Sequence, residues 1–130
     1  VSGQGKGRNK VSLEKIGLNW IQTENADELG NKPEPRAIDK AAPLAQMSKF
    51  PVDEIFVKLT EKKLPVEISF TAGTFVCNDL YFNVLNFLPE IKSVFIHVPL
   101  ISEQIRSETP QPYLDYGVEL GVLCELIHSL

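Results

Sequence analysis

The chain has no apolar run approaching the ~18 residues of a membrane-spanning helix, and its only cysteines are Cys77 and Cys124. The first absence argues against a membrane-spanning segment. The second argues against a disulfide framework and fits a reducing cytoplasm, which leaves both thiols available for packing or chemistry. Positive charge is not in excess: the formal net charge is −4, so a general nucleic-acid binder, which needs a basic surface against phosphates, is not expected. No CxxC or HxxxH spacing occurs, so no zinc site is expected. Internal repeats and low-complexity tracts are also missing. Val1-Ser2-Gly3-Gln4-Gly5-Lys6 carries neither the charged head nor the apolar stretch of a signal peptide. The first residue is Val rather than Met, which raises the expectation that an upstream segment is missing or removed.

What is present suits one globular domain over residues 1–130, with 43% apolar and 23% charged residues. Gly3, Gly5 and Gly7 alternate with Lys6, Arg8 and Lys10, so residues 1–10 read as a tight loop. Val11 to Trp20 alternates loosely and reads as a strand. Residues 22–49 turn polar and carry Pro33, Pro35 and Pro43; a loop of this length is usually functional or disordered. Pro51 suits the first position of a helix in which Val52, Ile55, Phe56 and Leu59 recur at helical spacing. Leu64–Phe70 reads as a short strand, and Phe75–Leu88 as a helix with Val76, Leu80, Val84, Leu85 and Leu88 on one side, stopped by Pro89. Ser93–Val98 is a nearly continuous apolar run, the pattern of a fully buried strand. From about Tyr113 a last helix is expected, with Tyr116, Leu120, Leu123, Ile127 and Leu130 along its stripe. Strands alternating with helices imply βαβ crossovers, hence an α/β fold with a mostly parallel sheet covered on both faces.

In such a sheet, sites gather where strands feed helix N-termini. The best-placed segment is Phe70-Thr71-Ala72-Gly73-Thr74-Phe75-Val76-Cys77-Asn78. Gly73 permits a sharp turn, Thr74 is a candidate N-cap, and Cys77 falls in the first turn, where N–H groups and the helix dipole lower a thiol pKa. Those N–H groups also suit an oxyanion. Position alone leaves nucleophile and small packing residue both open for Cys77. His97, near the end of the next strand, is the candidate general base, although a histidine in an apolar strand is more often a hydrogen-bonded core residue. His128 is the weaker candidate, and Cys124 reads as core. Glu14, among alternating apolar residues, could orient His97 or be a surface charge.

Gly-Gln-Gly-Lys-Gly-Arg at 3–8, Leu13-Glu14-Lys15-Ile16 with Asn19, the Thr71–Asn78 block and Phe95-Ile96-His97-Val98-Pro99 resemble pyroglutamyl peptidase I, over essentially the whole chain. The resemblance implies a cytosolic cysteine peptidase that removes N-terminal pyroglutamate from peptides. It implies a Glu14–Cys77–His97 triad, with the backbone around Gln4 and around Phe75 and Val76 holding the lactam ring. It implies no cofactor or metal, a three-layer αβα sandwich, and either homo-oligomers or assembly with an N-terminal partner segment. The family's N-terminal strand and its Gly-Phe-x-Pro-Phe loop are not in this chain. Glu24-Asn25-Ala26-Asp27-Glu28 stands where the family usually has Arg-Ile-Pro-Asp-Asn, and Asp79 replaces a common histidine.

Overall fold

The computed structural model describes residues 1–106 and 110–129. In chain order its elements are β1 (Ser2–Gln4), β2 (Val11–Glu14), β3 (Ile16–Leu18), β4 (Ala45–Met47), α1 (Val52–Glu61), β5 (Val66–Ser69), α2 (Val76–Phe87), β6 (Phe95–Val98), a 3₁₀ turn at Ser102–Gln104 and α3 (Tyr116–His128). They fall into two compact units: Val1, Glu14–Phe50 and Ser69–Phe95 form one; Ser2–Leu13, Pro51–Ile68 and the described residues from Ile96 onward form the other.

The second unit is built on a sheet of order β1-β6-β2-β5. β1 runs parallel to β6, with Gly3 opposite His97 and Gln4 opposite Val98. This strand corrects the expected loop at residues 1–10. Its three residues are too few to show a pattern, and pairing with β6 is what holds them extended. Gly5 N–H continues the ladder to Val98 O at 2.8 Å. A side chain at Gly5 would meet Arg8 Cδ at 2.8 Å and His97 Cβ at 3.3 Å, so it would displace the Arg8 side chain and crowd His97.

All four residues of β2 are buried, Ser12 included. The sequence alternates apolar and polar, yet both faces are covered, Val11 and Leu13 on one and Ser12 and Glu14 on the other. Ser12 Oγ donates to Glu67 Oε1 at 2.6 Å, compensating its burial. On α1, Val52, Ile55 and Leu59 turn inward at the expected spacing while Phe56 is half-buried. Pro51 is the N-cap rather than the first helical residue. The chain leaves α1 through Lys63 at φ 58°, whose N–H reaches Thr60 O at 2.8 Å while Leu64 N–H reaches Leu59 O at 3.1 Å. That is a left-handed helix end made without glycine. α3 packs against α1, and Lys62 pairs with Glu125 between them. Asp115 caps α3 by accepting from Gly117 N–H at 2.9 Å.

α3 buries Val122 and Leu126, not the expected stripe: Tyr116, Leu120 and Ile127 are exposed, and Leu130 lies outside the described residues. Cys124 is exposed as well, contrary to a core placement. At 3.6 residues per turn it sits roughly 200° around the helix from each of the two buried residues.

In the first unit the expected Val11–Trp20 strand is interrupted at Lys15, whose N–H donates to Ser69 O at 2.7 Å and whose carbonyl accepts from Ser48 N–H at 2.9 Å. Beyond it β3 pairs antiparallel with β4, Gly17 opposite Gln46. The polar stretch 22–49 thus contains a strand, recruited by β3 rather than by its own apolar pattern. α2 lies on β3; a Cβ on Gly17 would meet Phe82 Cα at 3.0 Å. The buried face of α2 is Asn78, Tyr81, Phe82 and Leu85, while Val76 and Leu80 are exposed. This is a regular i, i+3, i+4, i+7 set with an amide in its first place, so apolar residues alone give the wrong face. The rings of Tyr81 and Phe95 meet at 5.8 Å and 53°, forming a cluster with Leu85 against which Cys77 packs.

Candidate active site

Cys77 is the second residue of α2 and is half-buried. The turn before it is set by Gly73 at φ 83°. Phe75, not Thr74, takes the N-cap position, with no side-chain cap. Thr74 instead fastens the turn to Gln22: its Oγ1 donates to Gln22 O at 2.6 Å, and Gln22 N–H donates to Thr74 O at 2.8 Å. The first helical bond is Asp79 N–H to Phe75 O at 2.9 Å. The N–H groups of residues 76–78 therefore form the positive end of α2, the environment that favours a thiolate and an oxyanion.

Asn78 holds this helix start in place. It is fully buried, its Oδ1 accepts from Leu18 N–H at 2.8 Å, and its Nδ2 donates to Leu18 O at 2.9 Å and Trp20 O at 3.1 Å. One amide thus satisfies three backbone groups of β3 and its exit. One turn later, Tyr81 OH donates to the backbone carbonyl of Glu14 at 2.8 Å, and burial pushes the phenol pKa up. Glu14 ends β2 with none of its surface exposed, so the surface-charge reading is excluded.

His97 is the third residue of β6 and is buried. It shares a face of that strand with Phe95, two residues earlier. Gln4, on β1, is exposed, and its Nε2 donates to Gln104 Oε1 at 2.8 Å. His128 lies in the last turn of α3. Among the described residues, no group of three or more His, Cys, Asp or Glu could hold a metal ion.

Phe75 and Val76 line an open cavity of about 410 Å³ with Ile21, Asp79 and, from the 22–49 stretch, Asp27, Asn31, Lys32, Pro33 and Arg36. Lys32 pairs with Glu24 at 2.7 Å and holds that carboxyl below its ordinary pKa. Asp27 is held low by the N–H groups of Asn31 and Leu29.

A family model described as pyroglutamyl peptidase matches residues 1–127. The chain belongs to the pyroglutamyl peptidase family. Within it, the chain is similar to the pyrrolidone-carboxylate peptidase of Bacillus mycoides (strain KBAB4), 34% identical over 129 residues, covering 92% of this chain and 60% of that protein. Pyrrolidone carboxyl peptidase of the hyperthermophile Pyrococcus furiosus matches in structure with a TM-score of 0.90 at 32% identity, over 98% of this chain and 65% of that one. For Bacillus amyloliquefaciens pyroglutamyl peptidase I the TM-score is 0.87 at 29% identity, over 96% and 62%. The chain thus spans about 60% of the length of the curated relatives it matches. The α/β fold expected from the sequence is that of these structures.

In this member of the pyroglutamyl peptidase family, sequence patterning proposes Cys77, His97 and Glu14 but passes over Asn78 and Tyr81, which anchor the start of α2. Asn78 and Tyr81 had a signal: they complete the helical spacing with Phe82 and Leu85.

Proposed function

We propose that this chain carries the working groups of a cysteine omega-peptidase that removes N-terminal pyroglutamate from peptides. The position of Cys77 at the positive end of α2, in a chain of this family, supports the reading most. Cys77 Sγ gives its proton to His97 and attacks the pyroglutamyl carbonyl, and N–H groups at the start of α2 stabilise the tetrahedral oxyanion. Collapse breaks the peptide bond, and His97 returns the proton to the departing amine. Water, deprotonated by His97, then hydrolyses the thioester, releasing pyroglutamate and restoring the thiol. Glu14 orients His97 and supports its positive charge. Backbone around Gln4 and around Phe75 and Val76 holds the lactam ring. The proposed setting is a reducing cytoplasm, in which the thiol stays reduced.

Because the chain spans about 60% of its curated relatives, a second reading is that turnover needs assembly with a further segment or with other copies. A fluorogenic pyroglutamyl amide tests both. Hydrolysis by the 130-residue chain that is abolished in Cys77→Ser supports the first reading. Hydrolysis that arises only after a segment supplying the remaining length is added supports the second. Hydrolysis unaffected by Cys77→Ser would overturn both.

A further inference from the structure

We infer that Tyr81 is a positioning residue of the site: it fixes the main chain at Glu14 against the helix that carries Cys77, and so sets how readily the Cys77 thiol ionises. The inference rests on the peptidase reading, in which Glu14 supports the charge that His97 gains from the thiol. Tyr81 lies four residues beyond Cys77 on α2 and therefore on the same side of that helix. Cys77 packs against the cluster of Tyr81, Leu85 and Phe95. From this cluster the phenol reaches the end of β2, where its hydroxyl donates to Glu14 O at 2.8 Å.

The place of this bond gives it its effect. β2 ends at Glu14 and β3 starts at Ile16, so the chain changes partners here. Lys15, at the break, donates its N–H to Ser69 O at 2.7 Å and accepts at its carbonyl from Ser48 N–H at 2.9 Å. Both of those bonds come from other parts of the backbone, whereas the Tyr81 bond comes from the nucleophile's own helix. The phenol is itself firmly held. It is fully buried, its ring meets Phe95 at 5.8 Å and 53°, and the Phe95 main chain and the Ser48 hydroxyl are its other hydrogen-bonding neighbours. Ser48 Oγ in turn donates to Ser93 O at 2.5 Å and accepts from Phe50 N–H at 3.0 Å. Burial, joined by the charge of Glu14, keeps the phenol protonated, so it remains a donor throughout the range in which a thiol titrates. Glu14 has none of its surface exposed, so close packing leaves its carboxylate no room to regain its place once its main chain moves.

Iodoacetamide alkylation of the 130-residue chain, followed by peptide mapping from about pH 5.5 to about pH 10, tests this without requiring hydrolysis. Cys124, which is exposed, serves as the reference thiol within each molecule. Tyr81→Phe should slow Cys77 about 3- to 10-fold near neutral pH and leave Cys124 unchanged. The deficit should close at alkaline pH, where the thiol ionises without help. In a Glu14→Gln background Tyr81→Phe should have no further effect, because the charge through which it acts is gone. Leu85→Val loosens the same cluster without touching Glu14; it should lower the urea midpoint and leave the Cys77 profile in place. The inference is overturned if Tyr81→Phe leaves Cys77 unslowed, slows it equally at every pH, keeps its full effect beside Glu14→Gln, or is matched by Leu85→Val. In each of those cases a wild-type Cys77 that outpaces Cys124 leaves the peptidase reading standing. A wild-type Cys77 no faster than Cys124 sinks that reading, and the inference with it.

Discussion

Replacing Asn78 with alanine removes the side chain that ties the start of α2 to β3. Three hydrogen bonds go with it: Leu18 N–H at 2.8 Å, Leu18 O at 2.9 Å and Trp20 O at 3.1 Å. A buried hydrogen bond contributes about 1 kcal/mol net, and an amide left unpaired in the interior costs about 1–3 kcal/mol. Leu18 is half-buried and Trp20 exposed, so water can reach the Trp20 carbonyl more readily than the Leu18 pair. The expected loss is therefore about 3 kcal/mol, a large part of the ~5–15 kcal/mol that holds a typical domain folded. Asn78→Asp is the sharper companion. It keeps the acceptor for Leu18 N–H but sets a carboxylate against two carbonyls, so its pKa must rise in the folded state. A carboxyl whose folded pKa is raised is favoured when protonated, so this variant should recover stability as pH falls. Urea denaturation of the three proteins at neutral and acidic pH measures both effects, with the midpoint moving at unchanged slope. A loss below about 1 kcal/mol for Asn78→Ala, or an Asn78→Asp deficit that grows with acid, refutes this account of the helix anchor.

Tyr81→Phe deletes the buried bond to the Glu14 carbonyl and should cost about 1–3 kcal/mol in the same assay. Lys63→Gly should stabilise the chain by about 0.5–1 kcal/mol, because Lys63 sits at φ 58° where a side chain is strained; a neutral or destabilising effect would remove that strain from the picture. Glu119 has a buried Oε2 with no hydrogen-bond partner among the described residues, and burial raises its pKa. Its charged form is then penalised only in the fold: the penalty is absent below the ordinary glutamate pKa, grows as pH rises toward the raised value, and stays constant above it. Glu119→Gln should accordingly raise the melting temperature at neutral pH and leave it unchanged in acid.

The sequence reveals elements whose own pattern is sufficient and hides those made by partners. α1, the apolar run of β6 and the extent of α2 follow from spacing, because burial on one face or on both writes itself into residue type. β1 and β4 have three residues each and exist because β6 and β3 supply the other half of the ladder. The inward face of α2 is misread because its anchor, Asn78, is polar. Cys124 is misread because α3 buries a narrower stripe, Val122 and Leu126, than its many apolar residues suggest. The position of Cys77 at a helix start is legible from the glycine turn that leads into it, which is local. Glu14 needs the structure, since only its complete burial separates it from a surface carboxylate. The cavity beside Val76 depends on how residues 21–36 fold back beside the start of α2, and no local pattern carries that.

The most direct test of Cys77 as a pyroglutamyl-directed nucleophile is covalent labelling with a chloromethyl ketone built on the pyroglutamyl ring, followed by peptide mapping. Accessibility alone favours Cys124, which is exposed, over Cys77, which is half-buried. If the helix start and ring pocket direct the reaction, the label should appear on Cys77, ahead of Cys124, and excess 2-pyrrolidone should slow it. Labelling of Cys124 first, or labelling of Cys77 that 2-pyrrolidone does not slow, would contradict the assignment.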